Sequence, residues 1–137
     1  EHPGIILGAQ FVPEDKVSSY GIVSGEALAD NLYRVDNLVE KPKQEDAPSQ
    51  LAVLGRYILT PDIFSILENT KPGVGNEVQL TDALAASKTD TYALAYEGIR
   101  YDTGDKLGYL KATVEYALRN EELGENFKAY LKELDLK

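Results

Sequence analysis

The sequence has no cysteine, and this absence excludes disulfide frameworks, thiolate zinc sites and cysteine nucleophiles. It has a single histidine, His2, next to the start of the chain. No serine–histidine or cysteine–histidine relay can therefore be assembled from well-placed residues. Carboxylates, lysines and arginines remain for chemistry, and this set suits binding and phosphate transfer better than acyl transfer.

Basic residues are also scarce, with 14 Lys and Arg against 23 Asp and Glu, a net charge of −9 at pH 7. Binding to a phosphate backbone needs clustered cations, so nucleic acid is not an expected partner. No apolar run approaches the roughly 18 residues of a membrane span, and the N-terminus lacks the layout of a signal peptide. We therefore expect a cytoplasmic protein without a membrane partner.

A chain of 137 residues is long enough for one domain or for part of one. At this length a compact fold buries roughly 70% of the surface that the extended chain exposes, so a core can form without disulfides or a structural metal. The chain starts at Glu1 rather than at Met, and an apolar run begins at Ile5 with almost no lead-in. These two features predict that an upstream segment has been removed.

The pattern of apolar residues predicts an α/β fold. Five stretches have the length and composition of strands: residues 5–12, 20–23, 32–39, 51–59 and 91–96. Thr60 and Pro61 signal the start of a helix, residues 80–86 predict a second one, and two amphipathic helices are expected after Gly104. Because most strands precede most helices, we expect the second part of a mixed sheet followed by C-terminal helices. Such a partial sheet should leave one strand edge unpaired.

Glu40 and Lys41 are the first candidate functional residues, because they stand at the predicted end of a strand and directly before Pro42. Within a strand their side chains would point to opposite faces, whereas at its end they can lie close together. A carboxylate beside an ammonium group offers a hydroxyl acceptor and a phosphate-binding cation, as a sugar phosphate requires. The alternative is a solvated charge pair before a loop.

Asp102 is the second candidate, in the segment 101–105 before a strong helix pattern. Its carboxylate is a hard oxygen ligand of the kind that Mg²⁺ takes together with substrate phosphates. The alternative is that this segment only caps the helix, with Thr103 or Asp105 as the capping residue.

Two glycine-containing segments complete the candidates. The loop at 73–82 lacks the third glycine and the preceding strand of a dinucleotide fingerprint, and it is better interpreted as positioning Thr81 and Asp82 at a helix start. Gly21 either serves a turn or lets a ligand hydroxyl approach the backbone.

Taken together, several segments resemble the C-terminal half of the bacterial UTP:glucose-1-phosphate uridylyltransferases, also called UDP-glucose pyrophosphorylases. The matching segments are residues 20–23 (YGIV), 38–43 (LVEKPK), 55–59 (GRYIL), 79–83 (QLTDA) and 100–109 (RYDTGDKLGY). The resemblance extends over nearly the whole chain. The Glu-Lys-Pro element is shared by sugar nucleotidyltransferases in general, whereas the run at 100–109 is typical of the uridylyl branch.

The resemblance implies roles for individual residues. Gly21 would lie against the glucosyl unit, Glu40 would accept sugar hydroxyls, and Lys41 would hold the sugar phosphate as the catalytic cation. Asp102 would be a Mg²⁺ ligand. Three further residues match positions that line the sugar pocket in related thymidylyltransferases: Val53, Tyr57 and Thr81.

The resemblance also implies a fold and a set of partners. The fold would be the C-terminal part of the Rossmann-like mixed sheet of the nucleotide-diphospho-sugar transferases, with residues 1–104 as the sugar-phosphate-binding half and 105–137 as a helical segment. UTP, glucose 1-phosphate and UDP-glucose would be the ligands, and the protein would be a homo-oligomer. The family's nucleotide-gripping loop and first metal-binding aspartate have no match here, so this chain alone is expected to be inactive. Use of dTTP or ATP, or a non-catalytic binding or association module, remain the alternatives.

Overall fold

The computed structural model describes residues 3–135, so His2 lies outside the described residues. The strands are β1 (Ile5–Phe11), β2 (Gly21–Ala29), β3 (Leu32–Glu40), β4 (Leu51–Ile58) and β5 (Thr91–Ala95). The helices are α1 (Ile63–Asn69), α2 (Leu80–Ala86), α3 (Lys106–Arg119) and α4 (Gly124–Glu133). Short 3-10 turns lie at Glu14–Ser19, Gln44–Asp46 and Val74–Asn76. The predicted order of strands and helices is confirmed.

The prediction for the second strand was wrong in its length, because β2 does not end at Val23 but continues to Ala29. Gly25 is inside this strand, where it pairs with Val35 after a register shift. A Cβ atom on Gly25 would overlap the backbone carbonyl of Arg34. This glycine therefore permits a close approach of two strands at a bulge, and a single residue type does not distinguish this role from a turn.

The five strands form one mixed sheet that closes on itself in the order β1-β4-β2-β3-β5. β5 returns to β1 as the parallel pair, and the other pairs are antiparallel. The mixed sheet is confirmed, but the expected unpaired edge strand is not, since each strand of the described chain hydrogen-bonds to two others. The link between β2 and β4 is short, with Ile22 opposite Ala52 and Val23 opposite Leu51.

The hydrophobic core lies on the face of the sheet that α1 and α2 cover. Ile5, Leu7 and Ala9 alternate along β1 and are fully buried. Ile63 of α1 and Leu84 of α2 are buried in the same cluster. Since successive strand residues point to opposite faces, the alternation in β1 places every second side chain under these helices.

The chain divides into two compact units, one ending at Glu97 and the other beginning at Gly98. The first contains the closed sheet with α1 and α2, and the second contains α3 and α4. The assignment of separate roles to residues 1–104 and 105–137 stays a prediction. Within residues 3–135, no helix has both the length and the apolar character needed to cross a membrane.

Candidate functional site

Glu40 is at the centre of a small polar cluster in the first unit. It is the last residue of β3 and pairs with Gly21, the first residue of β2. Its carboxylate is largely buried, with 12% of the side chain exposed, and Oε2 accepts a hydrogen bond of 2.6 Å from the hydroxyl of Thr81. Thr81 lies in the first turn of α2, which packs against β3. Residues from three elements, β2, β3 and α2, therefore meet at this carboxylate.

Gly21 provides the space for this cluster. A Cβ atom at this position would lie 3.1 Å from Oε2 of Glu40 and 3.3 Å from the hydroxyl oxygen of Thr81, closer than side-chain carbons normally pack. Gly21 is buried within a regular strand pair, so the turn interpretation of this residue is wrong. The missing side chain leaves room for the carboxylate and the hydroxyl to meet beside the strand.

Lys41 is brought to the same cluster by an unusual backbone angle. Strand β3 ends at Glu40, as Pro42 predicted, and Lys41 has a φ of 44°, in the left-handed region. Its N–H donates to the carbonyl of Tyr20 at 3.0 Å, which fixes this conformation. The ammonium Nζ then lies 3.7 Å from Oε1 of Glu40. Strand geometry would have separated these two side chains, and the left-handed residue brings them together.

The pKa of Tyr57 depends on its burial and on the charge of Glu40. Burial of the phenol raises the pKa of Tyr57 above its usual value, and the negative charge of Glu40 raises it further. Val53, on the same strand, is partly buried and packs against the main hydrophobic core. A bulge at Leu54 and Gly55 separates the two residues, since Ala9 pairs with Val53 whereas the preceding Gly8 pairs with Arg56.

We expect the change Glu40→Gln to lower the pKa of Tyr57, because it removes the nearby charge and leaves the burial in place. An alkaline NMR titration of the chain with ¹³C-labelled tyrosine measures this shift. Glu26→Gln is the matched control, since Glu26 is exposed and pairs with Arg34 on the hairpin. An unchanged pKa of Tyr57 in Glu40→Gln would contradict the effect of the Glu40 charge on this phenol.

The raised pKa of Tyr57 also predicts how stability depends on pH. The folded state keeps the phenolic proton to higher pH than the unfolded state, whose tyrosines titrate near pH ~10. The unfolded state then binds fewer protons, so the free energy of unfolding falls as the pH rises above that value. In Glu40→Gln this fall should be shallower.

Asp102 lies in the second unit, and both of its carboxylate oxygens have partners. Oδ1 accepts the N–H of Gly104 at 3.0 Å, and Oδ2 pairs with the guanidinium of Arg100 at 3.1 Å. The cap of α3 is instead Asp105, whose Oδ2 accepts the N–H of Gly108 at 2.7 Å. The expected capping function is therefore confirmed for Asp105, and the carboxylate of Asp102 is not needed for it.

Asp102 fits a divalent metal ion as a single hard oxygen ligand. Its side chain is 52% exposed, and carboxylates are ligands that Mg²⁺ accepts alongside water and phosphate oxygens. The described residues contain no group of three or more side chains placed to hold a metal ion.

The loop before α2 agrees with its predicted role at a helix start. Gln79 is the N-cap residue, and Leu80 begins the helix. Gly75 has a φ of 74°, and the N–H of Gly73 donates to the carbonyl of Glu77 at 2.9 Å. The sequence did not predict the hydrogen bond of Thr81 to Glu40, because no short motif links residues 41 positions apart.

The fold is a mixed sheet that places a carboxylate and an ammonium group together at one strand end. The Nucleotidyl transferase family model matches residues 4–119, and the chain belongs to this family. Transferases of this family generally use a divalent metal ion.

Relatives of known name are close in sequence. A UTP--glucose-1-phosphate uridylyltransferase of Staphylococcus epidermidis is 49% identical over 133 residues, which cover 96% of this chain and 46% of the relative. The uridylyltransferase 2 of Streptococcus pyogenes serotype M1 is 52% identical over 131 residues, 93% of this chain and 44% of the relative. The chain thus spans slightly less than half the length of these relatives.

Solved structures give the same result for the fold. A UDP-glucose pyrophosphorylase complexed with UDP-glucose superposes with a TM-score of 0.80 at 48% identity, covering 85% of this chain and 45% of that one. The UTP-bound enzyme of Acinetobacter baumannii superposes with a TM-score of 0.83 at 38% identity, covering 96% of this chain and 46% of that one. The predicted resemblance to the UDP-glucose pyrophosphorylases and the predicted fold class are confirmed.

Proposed function

We propose that this chain provides the sugar-phosphate half of a uridylyltransferase that converts UTP and glucose 1-phosphate into UDP-glucose and pyrophosphate. The observation that supports this most directly is the pairing of Glu40 and Lys41 at the end of β3, with Nζ and Oε1 3.7 Å apart. This pair presents one anion and one cation next to Gly21, which pairs with Glu40 across the two strands. A hexose 1-phosphate has hydroxyl donors for the carboxylate of Glu40 and a phosphate for the ammonium group of Lys41.

In this proposal each residue of the cluster has a separate task. The carboxylate of Glu40 accepts sugar hydroxyls, and the ammonium group of Lys41 neutralises the sugar phosphate whose oxygen attacks the α-phosphorus of UTP. Gly21 lets the sugar ring approach the backbone. Thr81 donates a hydrogen bond to this carboxylate, its negative charge raises the pKa of Tyr57, and Val53 lies on the same strand as Tyr57.

Asp102 is the proposed ligand for Mg²⁺, held on the segment that precedes α3. When bound, Mg²⁺ would neutralise charge on the triphosphate. Asp102 would first have to exchange its ion pair with Arg100 for the metal.

The residues of this chain do not suffice for turnover under this proposal. Transfer requires two polyanions to be held in line, and the cluster at Glu40 offers a single ammonium group for both. We therefore propose that the chain alone binds glucose 1-phosphate but does not release pyrophosphate from UTP. We further propose that the complete enzyme is a cytoplasmic homo-oligomer.

A binding titration tests the proposal directly. The ¹⁵N-labelled chain is titrated with glucose 1-phosphate, glucose and inorganic phosphate, and amide shifts are followed by NMR. We expect glucose 1-phosphate to shift Gly21, Lys41 and Thr81, and to bind more tightly than either of its two parts. Equal binding of inorganic phosphate, or shifts confined to other residues, would contradict the proposed site.

A further inference from the structure

The hydrogen bond between Thr81 and Glu40 points to a function of Thr81 that differs from ligand contact. We infer that Thr81 is a positioning residue, which holds the carboxylate of Glu40 in the orientation that presents Oε1 to the ligand. This inference rests on the proposed function, since it assigns Glu40 the task of accepting a ligand hydroxyl. It concerns an interaction between two side chains of this chain, present without any ligand.

The two carboxylate oxygens of Glu40 have different surroundings. Oε2 accepts the hydroxyl of Thr81 at 2.6 Å, a short distance typical of a hydrogen bond to a charged acceptor. Oε1 lies on the side of Lys41, at 3.7 Å from Nζ, too far for a direct hydrogen bond. One oxygen is thus anchored within the protein, and the other retains its capacity to accept.

A free glutamate side chain would not keep this orientation. Three rotatable bonds separate its carboxylate from the backbone, and fixing them costs conformational entropy. The anchor comes from α2, an element that packs against β3 independently of any ligand. The hydrogen bond from Thr81 therefore fixes the side chain of Glu40 when the protein folds, so the carboxylate is already oriented when a ligand arrives.

Gly21 lies next to the hydrogen bond between Thr81 and Glu40. The position that its Cβ would occupy is 3.1 Å from Oε2 and 3.3 Å from the hydroxyl of Thr81, so the hydrogen bond lies directly over the glycine. The anchored oxygen lies against Gly21, and the other oxygen lies on the side of Lys41. A threonine on a helix, a glycine on one strand and a glutamate on another are all needed for this geometry.

Three substitutions of the chain test the inference. Thr81→Val keeps the shape of the side chain and removes the donor, Thr81→Ala removes both, and Thr81→Ser restores the hydroxyl. Glu40→Gln is the reference for loss of the charge. The readout without ligand is the pKa of Tyr57, which depends on the proximity of the Glu40 charge, measured by NMR on ¹³C-tyrosine.

We expect Thr81→Val and Thr81→Ala to move the pKa of Tyr57 toward its value in Glu40→Gln, because the released carboxylate leaves its fixed position. Both should bind glucose 1-phosphate roughly tenfold more weakly, the effect of losing about 1.4 kcal/mol. Thr81→Ser should retain both properties of the wild type. If Thr81 only stabilised the helix, the pKa of Tyr57 would stay the same in all three variants, and Thr81→Val and Thr81→Ser would not differ in this pKa.

The outcomes separate this inference from the proposed function. A folded Thr81→Val protein, or a folded Thr81→Ala protein, with an unchanged pKa of Tyr57 would overturn the positioning role of Thr81, whatever glucose 1-phosphate does. Failure of the wild-type chain to bind glucose 1-phosphate, with the Tyr57 shift present in Thr81→Val, would instead overturn the proposed function. Loss of binding in Thr81→Ser as well as in Thr81→Val would also count against positioning through the hydroxyl.

Discussion

Substituting Lys41 by alanine should weaken binding of glucose 1-phosphate by roughly 10- to 100-fold, the effect expected from losing one charge-assisted interaction of about 1.5–3 kcal/mol. The ammonium group is the cation observed next to Glu40. Its removal also leaves the carboxylate to repel the phosphate of the ligand. Isothermal titration calorimetry of the wild-type and variant chains measures the change.

The left-handed backbone of Lys41 provides a second, independent test at the same position. Lys41→Gly removes the same charge as Lys41→Ala, but glycine adopts a φ of 44° without the penalty of about 1–2 kcal/mol that other residues have in the left-handed region. Glycine gains more entropy on unfolding, which offsets part of this difference. We therefore expect the glycine variant to be as stable as the alanine variant or more stable, although in regular strands glycine is the worse residue.

Lys41→Arg is the control that keeps the charge. It should retain measurable binding, because arginine also pairs with phosphate. Near-normal affinity in Lys41→Ala would contradict the proposed function of the ammonium group. A glycine variant about 1 kcal/mol less stable than the alanine variant would show that the left-handed conformation is not maintained in solution.

Replacing Gly108 by alanine is the second change with a large expected effect. Gly108 lies in the first turn of α3, and a Cβ atom there would overlap the backbone carbonyl of Asp102. Neither atom belongs to a flexible side chain, so the segment at Asp102 has to move away from the helix. We expect a loss of about 1–3 kcal/mol in the stability of α3, measured by hydrogen exchange of its amides.

The direction of this effect distinguishes packing from helix propensity. By propensity alone, glycine to alanine inside a helix stabilises by about 1 kcal/mol. Lys111→Gly, at an exposed position of the same helix, should show the propensity effect by itself as a loss of about 1 kcal/mol. If Gly108→Ala instead slowed hydrogen exchange in α3, the close approach of Asp102 to the helix would be refuted.

Gly108 also bears on the proposed metal ligand. The carbonyl of Asp102 accepts the N–H of Asp105, and the side chain of Asp105 accepts the N–H of Gly108. The backbone of Asp102, the proposed metal ligand, is thus fixed at the start of α3 by Asp105 and Gly108, which are close to it in sequence. This part of the site is local, so the sequence predicted the helix start and limited its cap to Thr103 or Asp105. The structure assigns the cap to Asp105.

The cluster at Glu40 depends on contacts of a different range. Pro42 indicated that Glu40 and Lys41 stand at the end of a strand. A strand end does not, however, specify a left-handed conformation of Lys41 or the carbonyl of Tyr20 as its hydrogen-bond partner. Likewise, the sequence left two interpretations of Gly21 open, a turn or a close approach of a ligand hydroxyl, whereas its structural role depends on what lies opposite it on β3. The sequence signal at each position was ambiguous because the deciding neighbour is remote.

Sequence alone determined a strand in residues 5–12, a short helix over residues 80–86 and a helix cap at Thr103 or Asp105, because each follows from apolar patterning or from hydrogen bonds within a few residues. Only the tertiary structure decided that the strands close into a ring and that Thr81 holds Glu40. Both depend on strand pairing and helix packing between segments tens of residues apart. Local patterns of polarity do not specify which remote segments come into contact.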